Sequence, residues 1–198
     1  LLHYIDKTYN TYQCGSYLSE INSNAGEWTP ADEIVIDILE TIKLVSQITE
    51  GAYDITANPL IRLWGFYKND SKKIPNNEEI NQTRQKVNYQ NIEIQDKKVR
   101  IEKDQEIISG SFIKAFAADM LISKLKDNHI NEALINAGGS TIISFSDHNL
   151  PWKVNIPHPF KIKEKAGSIE LINSSFSQRR NIKFDNITID QGLSQSSV

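Results

Sequence analysis

Apolar residues recur at helical spacing in three parts of the chain. The clearest predicted helix starts at Thr29 and Pro30, as N-cap and first helical residue, and stops at Gly51. Its expected buried face consists of apolar residues three or four positions apart: Ile34, Ile38, Ile42, Val45 and Ile48. Residues 1–13 predict a shorter helix and residues 112–125 a later one, whereas polar residues 16–26 predict a turn.

Strand patterns dominate the second half of the sequence. Apolar residues alternate on both sides of residues 95–98, which predicts a hairpin. Later strand-like runs occupy residues 133–136, 141–145, 152–156, 169–172 and 182–189. Helices followed by strands predict an α+β fold, in which amphipathic helices pack on antiparallel sheet. We expect this fold to form a single domain over residues 1–198.

Composition excludes several kinds of partner and site. The formal net charge is -3 and basic runs are short, so we expect no nucleic-acid partner. Cys14 is the only cysteine, which precludes an internal disulfide. No apolar run reaches the roughly 18 residues of a membrane span. Because the sequence starts at Leu1 without an initiator methionine, we expect a processed or trimmed product, and a missing start leaves room for an export signal.

Three polar or glycine-rich segments interrupt the apolar patterns. In residues 51–66, Asp54 and Thr56 share a face and Trp64 offers a ring for stacking; the alternative is an Asx turn with a buried aromatic. Residues 109–114 suit a diphosphate cradle ending in a lysine, or a simple helix cap. The paired glycines of residues 136–140 suit a ligand as well as a hairpin turn.

Taken in order, these segments resemble the ApbE family, the FAD:protein FMN transferases once described as thiamine biosynthesis lipoproteins. Residues 51–66 carry the most specific match, since they resemble the family's Gly-Ala-Phe-Asp-Ile-Thr…Pro-Leu…Leu-Trp-Gly-Phe run. Residues 109–119 resemble Leu-Gly-Gly-Ile-Ala-Lys-Gly-Tyr-Ala-Val-Asp. Further similar segments lie at residues 16–22, 133–139 and 152–157.

The resemblance implies an exported, Mg²⁺-dependent enzyme of the bacterial cell envelope. Such an enzyme moves FMN from FAD to a threonine or serine hydroxyl of a target flavoprotein and releases AMP. A lipid anchor would lie upstream of this sequence. The residues implied to hold the nucleotide are Tyr17, Asn22, Asp54, Thr56, Trp64, Gly110, Lys114, Asp119, Gly138 and Gly139. The carbonyl of Ser111 is implied to touch the metal, and Asp190 to be catalytic.

Several positions depart from the family pattern. The family's second glycine at the helix start is Ser111 here, and its glycine after the lysine is Ala115. Its aspartate after the glycine pair is Ser140. Residues 186–192 keep Asp190 but lack the family's histidine and proline, and the family's Asp-x-x-x-Thr metal-ligand segment does not follow. We therefore expect an incomplete C-terminal part. The alternative function is a diverged relative that binds a flavin or another nucleotide without transferring it.

Overall fold

The structure is a computed structural model that describes residues 1–66, 74–138, 141–158, 161 and 164–177, together with the backbone of three short strands beyond them. The chain divides into two compact units, residues 1–113 and residues 114–198. Each unit is described separately, and the single-domain organisation stays a prediction.

In its described residues, the first unit combines five helices with a small antiparallel sheet. The helices are α1 (Leu2–Tyr9), α2 (Tyr17–Ser23), α3 (Glu33–Ile48), α4 (Asn58–Leu63) and α5 (Asn77–Arg84), with a 3₁₀ turn at Tyr89–Asn91. The sheet has the order β1 (Thr29–Pro30), β3 (Lys98–Arg100), β2 (Glu93–Gln95). The predicted hairpin is confirmed as β2 and β3. Its turn residues, Asp96 and Lys97, both have positive φ, as a tight hairpin turn requires.

Helix α3 begins later than predicted. Thr29 and Pro30 lie in β1, where Thr29 pairs with Val99 across the sheet. The N-cap is Asp32, whose Oδ1 accepts a hydrogen bond of 2.8 Å from the Val35 amide. Threonine is a favoured N-cap residue, which is why the sequence predicted a helix start at Thr29. The pairing of Thr29 with a strand far along the chain overrides this local preference.

The buried face of α3 is also rotated from the predicted one. Its buried residues are Val35, Leu39, Ile42 and Ser46. Val45 and Ile48 are exposed instead, and the buried residues Val35, Leu39 and Ser46 each follow a predicted residue by one position. Only Ile42 belongs to both sets.

Residues 16–26 contain a helix where a turn was predicted. The Ser16 hydroxyl accepts a hydrogen bond of 3.1 Å from the Ser19 amide and so caps α2. Leu18 and Ile21, three positions apart, are both buried. A helix of seven residues offers only these two apolar positions, which is too few for a periodic pattern in the sequence.

Tyr9 links α1 to the start of α3. It is fully buried, and its hydroxyl donates a hydrogen bond of 2.9 Å to Asp32 Oδ2. The ring of Tyr17 is stacked on the ring of Tyr9, with centroids 6.2 Å apart and planes 18° apart. Asp32 therefore serves two elements at once, since one oxygen caps α3 and the other holds Tyr9.

The stability of the first unit is expected to fall at alkaline pH through Tyr9. Burial, with hydrogen bonds to Tyr4 and Asp32, raises the pKa of Tyr9 above its ordinary value near 10. The native state keeps a proton that the unfolded chain loses, so this stabilisation is complete below about pH 10 and declines above it. In urea unfolding between pH 8 and 11, the free energy of unfolding of Tyr9→Phe should decline less with pH than that of wild type. An unchanged slope would contradict this, and Tyr12→Phe, at an exposed tyrosine, is the control.

The part of the second unit that the structure describes contains one helix and antiparallel strands. Helix α6 (Ile113–Asp127) starts at the last residue of the first unit. The strands are β4 (Glu132–Ala137), β5 (Thr141–Ser146), β6 (Trp152–Pro157), β7 (Lys165–Leu171), β8 (Ser175–Ser177), β9 (Lys183–Phe184), β10 (Ile187–Thr188) and β11 (Ser194–Ser196). One sheet has the order β11-β8-β5-β4, and β6 pairs with β7.

The α+β fold class is confirmed, with helices and antiparallel sheets as expected. A core of Ile142, Val154, Leu171 and Phe176 joins strands of the four-stranded sheet to the β6–β7 hairpin. The four strand-like runs up to residue 172 correspond to β4–β7. Of residues 182–189, only the pairs in β9 and β10 are among the described residues.

Candidate functional site

A backbone segment at residues 107–109 is held in place by distant parts of the first unit. The amide of Asn22 pairs with the backbone of Ile107, because Asn22 Oδ1 accepts from its N–H at 2.7 Å and Asn22 Nδ2 donates to its carbonyl at 2.9 Å. The next amide, of Ile108, donates to the carbonyl of Ile55 at 2.8 Å. Asn22, predicted to bind the cofactor, thus positions the segment that leads to Gly110 and Ser111.

Ser109 anchors the same segment to the turn after α1. Its buried hydroxyl accepts from the Thr11 amide at 3.1 Å and donates to Asn10 Oδ1 at 3.1 Å. Its carbonyl accepts from the amides of Phe112 and Ile113, which begins the first turn of α6. Its side chain faces residues 10 and 11, so the hydroxyl does not cap α6. The turn also carries Tyr12, whose side chain is exposed.

Removing the Asn22 amide is expected to destabilise the first unit. Asn22→Ala leaves the N–H and the carbonyl of buried Ile107 without these partners, which costs about 2 kcal/mol of unfolding free energy. Urea denaturation of the purified variant measures the change. Asn24→Ala is the control, because Asn24 is exposed and its amide bonds only to the neighbouring α2 carbonyl of Glu20. Equal stabilities of the two variants would contradict a positioning role for Asn22.

Asp54 and Thr56 form the Asx turn that the sequence offered as an alternative. Asp54 Oδ1 accepts from the amide and the hydroxyl of Thr56, both at 2.7 Å, and Asp54 Oδ2 accepts from the Tyr89 amide at 2.9 Å. The Thr56 hydroxyl in turn accepts from the Asn88 amide at 2.9 Å. These side chains hold residues 88 and 89 against the 54–56 turn, and their cofactor contacts stay a prediction.

Tyr17 and Trp64, the two aromatic residues implied to hold the nucleotide, differ in their surroundings. Trp64 is 45% exposed at the C-terminal end of α4, so the buried aromatic of the Asx-turn interpretation is wrong. Tyr17 is half-buried, and Tyr9 covers one face of its ring. A role in flavin stacking stays a prediction for both residues.

A hydroxyl pair lies just before α6. Tyr53 Oη and Ser111 Oγ are 2.9 Å apart, within hydrogen-bond distance. Burial raises the pKa of Tyr53, and the hydrogen bond to Ser111 offsets this only in part, so the phenol is protonated at neutral pH. The sequence analysis missed this pair. The sequence did contain a signal for the pair, because the family pattern has phenylalanine where Tyr53 stands and glycine where Ser111 stands.

In the second unit, Lys114 lies beside Gly138. Gly138 follows β4 with φ +72°, and a Cβ added there would stand 3.9 Å from Lys114 Nζ. Because glycine has no side chain, the ammonium lies close to the backbone at the end of the strand. The structure thus brings together two residues predicted to bind the nucleotide. Gly139, the second glycine of the pair, lies outside the described residues.

Asp119 lies on another side of α6 from Lys114. Five residues turn the helix by about 140°, and Asp119 lines an open cavity of about 420 Å³ with Ile122, Lys126 and the end of β5. Partial burial raises the pKa of Asp119. The structure therefore separates Asp119 from the Lys114–Gly138 contact, although the sequence predicted a nucleotide role for all three residues.

The described residues do not form a carboxylate site for Mg²⁺. Within residues 1–66, 74–138, 141–158, 161 and 164–177, no group of three or more histidine, cysteine, aspartate or glutamate side chains could hold a metal ion. Ser111, the predicted metal contact, offers one carbonyl, and Asp190 lies outside the described residues. Hard cations require several oxygen ligands, and Mg²⁺ binding by this chain stays a prediction.

No helix in the part of the chain that the structure describes has the length and apolar character needed to cross a membrane.

Comparison with known proteins places the chain in a family. The model of the ApbE family matches residues 1–184. The chain belongs to the ApbE family. This match confirms the resemblance predicted from the sequence. It includes all the sequence segments that carried the resemblance, from residues 16–22 to residues 152–157.

Two relatives of this ApbE chain are named FAD:protein FMN transferase. The protein of Escherichia coli (strain K12) is 29% identical over 177 residues, which cover 85% of this chain and 50% of the relative. The protein of Haemophilus influenzae is 27% identical over 179 residues, covering 84% of this chain and 51% of the relative. The ApbE chain therefore spans about half the length of the curated relatives it matches.

Solved ApbE structures show the same fold. The ApbE protein of Thermotoga maritima matches with a TM-score of 0.81 at 22% identity, over 93% of this chain and 62% of that one. The apo flavinyl transferase ApbE of Pseudomonas stutzeri matches with a TM-score of 0.74 at 24% identity, over 89% and 58%. At these identities the likeness establishes the architecture of the ApbE chain.

Proposed function

We propose that this chain acts as an FAD:protein FMN transferase, which moves FMN from FAD to a threonine or serine hydroxyl of a target flavoprotein. The observation that carries the proposal is the position of the Lys114 ammonium against the backbone of Gly138. A cation beside exposed backbone suits an anionic group such as a phosphate. The names of the relatives supply the identity of the substrate.

The reaction breaks the phosphoanhydride of FAD and forms a phosphoester bond to the acceptor. The acceptor oxygen attacks the phosphorus of the FMN half of FAD, and the bond from that phosphorus to the bridging oxygen breaks. The proton of the acceptor hydroxyl passes to solvent, FMN is left in a phosphodiester, and AMP departs with the bridging oxygen. Lys114 would bind and orient the negative charge of the nucleotide, and its positive charge would stabilise phosphoryl oxygens in the transition state.

Two further parts of the proposal are supported by the family resemblance alone. One is a requirement for Mg²⁺, and the other is export to the cell envelope. Chelation by EDTA followed by readdition of Mg²⁺ tests the first part, since activity should vanish and return. Fractionation of cells that express the complete gene tests the second.

The function is tested by incubating the chain with FAD, Mg²⁺ and a target flavoprotein of an ApbE relative. We expect release of AMP in step with flavin fluorescence that stays on the target in denaturing gels. A target whose acceptor threonine is replaced by alanine is the control. Bound flavin without AMP release would support the non-transferring relative, and no uptake of flavin would overturn both functions.

A further inference from the structure

We propose that Tyr53 is a positioning residue for nucleotide binding, which acts by fixing the Ser111 hydroxyl as a hydrogen-bond donor to a phosphate oxygen of FAD. This inference rests on the proposed function and deepens it. The starting observation is the 2.9 Å separation between Tyr53 Oη and Ser111 Oγ. The two residues are 58 positions apart, so the hydrogen bond reflects the fold and not local sequence.

Both partners of the pair are held on fixed backbone. Tyr53 immediately precedes Asp54, whose carboxylate is bound to Thr56 and Tyr89. Ser111 follows the segment 107–109, which Asn22, Ile55 and the turn at residues 10 and 11 hold. The hydroxyl pair therefore joins two anchored segments. A donor set in advance binds a ligand at a lower entropic cost than a mobile one.

The hydrogen-bond capacity of the pair leaves one proton for a ligand. Two hydroxyl groups carry two protons, and their mutual hydrogen bond uses one of them. The phenol is the stronger acid, so we assign Tyr53 as the donor and Ser111 as the acceptor. Ser111 is exposed whereas Tyr53 is half-buried, so the remaining proton is on the side chain that a ligand can reach. Donation from Tyr53 also polarises the Ser111 hydroxyl and strengthens it as a donor.

At both positions of the pair, this chain departs from the family pattern that residues 51–66 and 109–119 resemble. That pattern has phenylalanine where Tyr53 stands and glycine where Ser111 stands, and neither of those residues carries a hydroxyl. The two departures occur at positions in direct contact. A serine alone would add a side chain free to rotate, and a tyrosine alone would lack this partner. Together they form one oriented donor.

The experiment compares FAD with riboflavin, which carries no phosphate. Binding to the full chain is measured by flavin fluorescence for wild type, Tyr53→Phe, Ser111→Ala and the double variant. We expect each single variant to weaken FAD binding about threefold to tenfold, as for the loss of one hydrogen bond. The double variant should bind FAD no more weakly than either single variant, because the two substitutions remove the same oriented donor. Riboflavin binding should be unchanged in all four proteins.

Tyr89→Phe is the matched control, because that ring packs beside Gly51, two residues before Tyr53, and its hydroxyl is not part of the pair. Its FAD affinity should equal that of wild type. Equal FAD affinity for wild type and Tyr53→Phe would overturn the inference and leave the proposed function intact. A parallel loss of FAD and riboflavin binding would also overturn it, since only packing would then be affected. A wild-type chain that binds no FAD would overturn both the inference and the function.

Discussion

Replacing Lys114 with methionine is expected to weaken FAD binding about a hundredfold and to lower AMP release at least as much. Methionine keeps most of the length of the side chain but removes the charge beside Gly138. Loss of a cation that faces an anionic ligand costs about twice as much free energy as loss of a neutral hydrogen bond. Lys114 is exposed, so the free energy of unfolding should change little.

Ionic strength and a second lysine give this prediction its controls. FAD binding to wild type should weaken as salt is raised, and binding to Lys114→Met should depend on salt less. Lys124→Met removes an exposed charge in the last turn of the same helix and should leave FAD affinity unchanged. If the two lysine variants lose affinity equally, the effect comes from net charge, and the Lys114–Gly138 contact is not the nucleotide contact.

Replacing Asp54 with alanine is expected to lower the free energy of unfolding by about 3 kcal/mol. The carboxylate accepts three hydrogen bonds at 2.7–2.9 Å, from two groups of Thr56 and one of Tyr89. Thr56 is fully buried, so its donors gain no water when the carboxylate is removed. Urea denaturation followed by circular dichroism measures the change.

A double-mutant cycle separates this network from a direct contact with ligand. Thr56→Val should also destabilise the chain, and the double variant should cost less than the sum of the single costs because the two side chains share a hydrogen bond. Asp37→Ala, at an exposed aspartate of α3, should be nearly neutral. If Asp54→Ala keeps full stability but loses FAD binding, the carboxylate serves the ligand and not the fold.

Local signals in the sequence predicted the elements better than their ends. The hairpin around residues 95–98 was predictable because alternation and turn residues agree. The start of α3 was not, since Thr29 and Asp32 both satisfy the rule for an N-cap. The choice between them depends on the pairing of Thr29 with Val99, which a local pattern does not contain. Helix α2 was missed because its seven residues contain only two buried positions, Leu18 and Ile21, too few for a periodic pattern.

In the candidate site, too, contacts between residues close in sequence were predictable and contacts between distant residues were not. The Asx turn of Asp54 and Thr56 is a contact over two residues, and composition was enough to suggest it. The family resemblance singled out Lys114 and Gly138, but their proximity comes from the fold, because Lys114 lies in α6 and Gly138 follows β4. The amide pairing of Asn22 with Ile107 joins residues 85 positions apart. No periodicity or motif reports such a contact.

The anchoring of residues 107–109 has a consequence for the order of folding. Its partners Asn10, Thr11 and Asn22 lie 85 to 99 positions earlier, so each hydrogen bond closes a long loop. Contacts of high sequence separation form slowly, and during synthesis they must wait until the later residues have left the ribosome. The α1–α2 region should therefore acquire its final protection from amide hydrogen exchange only when residue 109 is available. A fragment cut at residue 100 is expected to remain incompletely folded.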